Sequence, residues 1–150
     1  MVLMGSEVPF PFPLRPSLIY VDGIPSEAIA AIPLLEDLKI PSRLASNQDY
    51  SGCYEGFVTD LATDYLENIR VTKEELEIFA CGPTPMLIAI QKLAREYDVR
   101  CQLSVEEYMA CAVGGCAGCT ILVKTETGLQ MKKVCVDGPV FNGDEVILPK

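Results

Sequence analysis

Four cysteines carry the strongest chemical signal in this sequence: Cys111-Ala-Val-Gly-Gly-Cys116-Ala-Gly-Cys119, then Cys135 after 15 intervening residues. Three thiolates on one short loop, with a distant fourth, can close around a compact metal group. The C-x4-C-x2-C spacing is that of plant-type [2Fe-2S] clusters. Such a loop has to curl tightly, and Gly114, Gly115 and Gly118 permit positive φ and let main-chain N–H groups approach the sulfurs. The competing chemistry is a structural zinc site of four cysteines, which usually presents two C-x2-C pairs. Here only Cys116 and Cys119 are so spaced, and the balance falls to iron and sulfur.

Composition narrows the remaining chemistry. The chain has 150 residues and no histidine. That excludes Ser-His-Asp and Cys-His catalysis, His-ligated zinc or copper, Rieske clusters and an imidazole acid or base. Twelve Lys and Arg against 21 Asp and Glu give a net charge of -9, which repels phosphate backbones and anionic membranes, so neither nucleic acid nor a membrane is an expected partner. Seven cysteines cannot all pair internally. No basic region opens an export signal, and the prolines between Pro9 and Pro16 oppose an apolar leader helix. A cytoplasmic setting, with reduced thiols free to bind metal, is therefore expected. The longest uncharged apolar stretch, residues 78–90, contains Gly82, Pro83 and Pro85 and is too short to span a bilayer.

The elements that position the cysteines follow from hydrophobic pattern. Residues 1–103 alternate short β-like runs with helical periodicity, the sequence form of a parallel sheet covered by helices. Strands are expected at 17–21, 42–45, 76–80 and 99–103. Helices are expected at 26–39, capped by Ser26 and kinked by Pro33, at 58–69, and from Thr84 and Pro85 towards Tyr97. Residues 1–4 read either as a strand or as a frayed end. Cys81-Gly82-Pro83 is the turn at the carboxyl end of a strand, the usual ligand position in open α/β sheets. Cys53 and Cys101 read as small buried hydrophobes. A boundary falls near 103, dividing 1–103 from 104–150. Beyond it, Ser104 to Glu107 suggests one capped helical turn. Strands at 120–124 and 129–134, joined through Glu126-Thr127-Gly128, and a closing strand at 145–148 then deliver Cys135 at a hairpin end.

Two of these segments together resemble a known family. Phe79-Ala-Cys-Gly-Pro-Thr-Pro-Met86 is similar to the C-G-P-x-x-M signature beside the nicotinamide in the ferredoxin reductase superfamily. Glu106-Glu-Tyr-Met-Ala-Cys111 through Cys119, with Val134-Cys-Val-Asp-Gly-Pro-Val-Phe141, closely resembles the cluster domain of the electron-transfer subunit of class B dihydroorotate dehydrogenase. The resemblance implies an α/β chain: a truncated parallel, ferredoxin-reductase-like nucleotide-binding sheet, then a small β-rich [2Fe-2S] domain. It implies that Cys111, Cys116, Cys119 and Cys135 hold the cluster and that Cys81, Gly82 and Pro83 lie by NAD. In that family FAD takes hydride from NADH and passes single electrons to the cluster, which exchanges them with a catalytic subunit in pyrimidine biosynthesis. The family's FAD-holding β-barrel and the glycine-rich turn after the first nucleotide-domain strand have no counterpart here. The resemblance therefore implies a flavoprotein partner, a source of FAD, and no catalytic acid or base in this chain. A subunit of another flavin-dependent reductase or a hydrogenase complex is the alternative within the same chemistry.

Overall fold

The computed structural model describes residues 1–149, the side chain of Lys73 aside. Its first compact unit is Met1–Arg70. In order, it contains β1 (Val2–Gly5), β2 (Arg15–Pro16), β3 (Ala30–Ala31), α1 (Pro33–Asp37), β4 (Ser42–Ser46), β5 (Tyr54–Glu55) and α2 (Val58–Asn68).

The centre of this unit is β4. It pairs in parallel with β1 on one side and β5 on the other, and all five of its residues are buried. Because strand side chains alternate, Leu44 and Ala45 enter different clusters. Leu44 packs with Phe10 and Ala30, while Ala45 packs with Ala28 and Leu61 of α2. Helix α2 lies close against the sheet: a Cβ on Gly5 would stand 3.0 Å from Val58 Cβ. The N-terminal residues thus form a strand, in register from Val2 opposite Ser42 to Gly5 opposite Ala45.

Two expectations for this unit are corrected. Residues 17–21 are not a strand; side chains, instead of a ladder, tie them down. Glu36 accepts hydrogen bonds from the Leu18 N–H (2.6 Å) and the Ser17 hydroxyl (2.9 Å), and Arg43 Nη2 donates to the Ile19 carbonyl (2.7 Å). Leu18 and Tyr20 consequently project outward. The helix expected over 26–39 is also reduced to α1, because Pro33 starts a helix instead of kinking one. The residues before it form β3, which pairs with β2.

The second unit begins at Val71. After a 3-10 turn at Lys73–Glu75 come β6 (Glu77–Cys81), α3 (Thr84–Tyr97), β7 (Arg100–Ser104), β8 (Thr120–Thr125), β9 (Gly128–Lys133), α4 (Val134–Asp137), β10 (Val140–Asn142) and β11 (Val146–Ile147). The α2, β6, α3, β7, β8 and β9 expectations agree with these positions to within a residue or two. Strands β6 and β7 run parallel, with α3 as their crossover, and α3 buries Leu87, Ile90, Leu93 and Ala94. Strand β10 adds antiparallel to the other edge of β7. Strands β11, β8 and β9 form a separate antiparallel sheet. In β8, Ile121 and Val123 are buried and Thr120, Leu122 and Lys124 are not, the alternation of a one-sided sheet. The capped turn expected after Ser104 is absent, since Ser104 ends β7 and Val105 N–H bonds to the Pro139 carbonyl.

The architecture is therefore mixed α/β with parallel pairing, followed by a β-rich C-terminal segment. The pairing of β10 with β7 crosses position 103, and the two compact units divide at Arg70/Val71. Among the described residues, no helix is long and apolar enough to cross a membrane.

Candidate metal centre

The cysteine loop leaves β7 through residues 105–110 and rejoins regular structure at β8. Between these points the chain has no helix or strand. It curls through a left-handed backbone at Ala112 (φ 56°), Gly114 (φ 81°) and Ala117 (φ 56°). At Gly114 the requirement for glycine is also steric, because a Cβ would lie 3.2 Å from Val136 Cγ1. Val136 belongs to α4, which carries Cys135. The glycine thus lets the loop and the fourth-cysteine segment approach each other.

The four cysteines act on one another as two pairs, Cys111 with Cys116 and Cys119 with Cys135. The Cys116 thiol faces Cys111, and the N–H groups of Val113, Cys116 and Gly115 are turned towards the Cys111 sulfur. These donors, Val113 first, pull the Cys111 pKa down to about 6. Cys119 sits against Cys135: the Cys135 N–H and then its thiol point at the Cys119 sulfur and lower its pKa. The same thiol contact raises Cys135, while the Gly114 N–H opposes the rise. The charges of Cys111 and Cys119 both act on Cys135. Gly118 N–H adds a bond of 3.4 Å to the Cys116 sulfur. Among the described residues, no group of three or more Cys, Asp or Glu side chains is arranged to hold one metal ion.

The arrangement suits an iron–sulfur cluster chemically. A two-iron cluster needs two thiolates at each iron, and main-chain N–H donors around the sulfurs spread its negative charge. The segments differ in exposure: Cys119 is buried at the start of β8, Cys116 is exposed, and Cys111 and Cys135 lie between. Cys119 and the Cys135 segment are held by the hydrogen bond from Val134 N–H to the Cys119 carbonyl (3.0 Å), which continues the β8–β9 ladder by one residue.

Cys81, Gly82 and Pro83 lie where the sequence put them, at the carboxyl end of β6 and the start of α3. Cys81 and Phe79 are both exposed. A Cβ on Gly82 would meet Met86 Cε at 2.6 Å, so the glycine lets the methionine fold over the turn. Cys101 is buried as expected, and Cys53 is half-buried. Lys133 went unrecognised in the sequence. Its ammonium donates to the Gly114 carbonyl at 2.6 Å, but beside Lys132 on a hairpin strand it has the pattern of an ordinary solvated charge.

Comparison with known proteins places the cysteine segment in a family. Residues 106–147 match the family model of the iron-sulfur cluster binding domain of dihydroorotate dehydrogenase B. The chain is 39% identical over 93 residues to the dihydroorotate dehydrogenase B (NAD(+)) electron transfer subunit of Caldanaerobacter subterraneus subsp. tengcongensis, covering 62% of this chain and 35% of that one. It is 36% identical over 126 residues to the electron transfer subunit homolog of Aquifex aeolicus, covering 84% of this chain and 45% of the relative. The chain thus spans less than half the length of these relatives. A solved structure of the NADH-dependent reduced ferredoxin-NADP oxidoreductase, described for flavin-based electron bifurcation, superposes with a TM-score of 0.60 at 28% identity, over 80% of this chain and 40% of that one. These matches bear out the family resemblance, the ferredoxin-reductase-like fold and the iron–sulfur expectation read from the sequence.

Proposed function

We propose that this chain carries single electrons through a [2Fe-2S] cluster held by Cys111, Cys116, Cys119 and Cys135, between a flavin reduced by NADH and a catalytic subunit of the dihydroorotate dehydrogenase type, in pyrimidine biosynthesis. The observation that carries this reading is the C-x4-C-x2-C loop with its distant Cys135, inside the segment 106–147 that matches an iron-sulfur cluster binding domain. When bound, such a cluster accepts or releases one electron at a time, whereas NADH gives up a two-electron hydride, so a flavin has to stand between them.

The chain's own residues bind and orient. Cys111, Cys116, Cys119 and Cys135 would hold the cluster through their thiolates. The N–H groups of Val113, Gly114, Gly115 and Gly118 offset charge at the sulfurs. No side chain acts as an acid or base. Residues 104–150 are the cluster domain in this reading, and 1–103 an NAD-binding-like domain with Cys81, Gly82 and Pro83 beside the nicotinamide. A strand end opening into a helix is where open α/β sheets take ligands. FAD and the catalytic subunit come from the same assembly, which works in the cytoplasm, where thiols stay reduced.

Single Cys→Ser replacements test the assignment. Changing Cys111, Cys116, Cys119 or Cys135 in anaerobically prepared protein should abolish or strongly shift its visible absorption, while Cys53→Ser and Cys101→Ser should leave the spectrum unchanged. An unaltered spectrum in any of the first four variants would remove that residue from the ligand set.

A further inference from the structure

Lys133 reaches the cysteine loop: its ammonium donates to the Gly114 carbonyl at 2.6 Å, between Cys111 and Cys116 in the chain. The N–H of the same amide belongs to Gly115. A cation on an amide oxygen draws electron density from the nitrogen and makes its N–H a better donor, the polarisation that strengthens hydrogen bonds in chains. Lys133 lies two residues before Cys135, and its own N–H donates to Asp137 Oδ2 at 2.7 Å, which fixes the backbone from which the side chain springs.

We propose that Lys133 is a positioning residue of the metal centre, acting through its hydrogen bond to the Gly114–Gly115 peptide of the cysteine loop to hold the reduction potential of the cluster above the value it would have without that charge. The proposal rests on the cluster assignment above. Its sign follows from charge: reduction adds one negative charge to the cluster, and both a nearby cation and a stronger N–H···S bond favour the more negative state. The ammonium is only half-buried, so solvent weakens its direct field. The bonded amide is the less screened route.

The test compares the loaded wild-type chain with Lys133→Met, Lys133→Gln and Lys133→Arg by iron content, visible spectrum and an EPR-monitored redox titration. The Met variant should keep wild-type iron and spectrum but show a lower midpoint. At the wild-type midpoint its ratio of reduced to oxidised cluster should fall about tenfold, equivalent to about 59 mV for a one-electron couple. Arg should restore the potential, and Gln, a donor without charge, should lie between. An unchanged midpoint in a fully loaded Met variant would overturn the proposal. If the Met variant loses iron, the Gln variant supplies the comparison. If neither neutral variant holds iron while Arg does, Lys133 is only a structural clamp and the tuning role fails. Absence of iron from the wild type would instead contradict the cluster assignment itself.

Discussion

The side-chain amide of Gln91, on α3, donates to the carbonyls of Gly143 (2.7 Å) and Val146 (2.8 Å). It is buried and bonds one carbonyl of β11 and one of the turn before it, fastening the closing strand of the cysteine-bearing segment to the helix that crosses from β6 to β7. Gln91→Leu should therefore destabilise the second unit by about 1–3 kcal/mol, the usual cost of leaving buried polar groups unpaired. Denaturant unfolding of the loaded protein checks this, and a midpoint equal to wild type would contradict it.

Gly114 and Gly115 should respond differently to a methyl group. Gly114 has φ 81° and a Cβ there would crowd Val136, whereas a Cβ on Gly115 would meet nothing within 4 Å. Gly114→Ala is expected to cost about 1–2 kcal/mol and to speed cluster loss, seen as faster decay of visible absorption under chelator. Gly115→Ala should decay as wild type. Equal rates for the two variants would count against the loop geometry.

The legible part of the sequence was the part governed by short-range pattern. The cysteine spacing, the β8–β9 hairpin and the periodic faces of α2 and α3 are each set by neighbouring residues, and the structure reproduces them. Residues 17–21 have the apolar content of a strand, but long-range bonds from Glu36 and Arg43 hold them in another conformation. The helix expected over 26–39 fails where β3 finds a partner in β2. In the candidate site the cysteines were readable from spacing. The Lys133 contact to Gly114 spans 19 residues, and nothing in local pattern distinguishes that lysine from Lys132.

Glu36 makes the first unit sensitive to acid. The Leu18 N–H, then the Ser17 hydroxyl and the charges of Arg43 and Lys39, lower its pKa below 4.5 against the opposing effect of burial. A lowered carboxyl stabilises the fold above its unfolded pKa, and this contribution is lost as pH falls through the folded value. Glu36→Gln should cost about 1 kcal/mol at neutral pH, a figure reduced for solvent exposure. The difference from wild type should shrink below about pH 4.5. A gap that persists undiminished in denaturant curves at acid pH would contradict this linkage.

Thiol reactivity should follow burial. Desolvation, with smaller contributions from Asp144 and Glu77, pushes Cys101 up to about 11, which leaves on the order of one thiolate in a thousand at pH 8. Burial also raises Cys53, and Cys81 is exposed. Iodoacetamide at pH 8, followed by peptide mass spectrometry, should label Cys81 well ahead of Cys53 and Cys101. Labelling of Cys101 as fast as Cys81 would contradict the packing of β7.

Metal analysis joined to EPR tests most directly whether Cys111, Cys116, Cys119 and Cys135 hold a [2Fe-2S] cluster. Anaerobically purified protein should contain iron and acid-labile sulfide in equal amounts, about two of each per chain. After dithionite reduction it should give a single spin-one-half signal of about one spin per chain. A colourless protein containing zinc, with neither iron nor labile sulfide, would contradict the account.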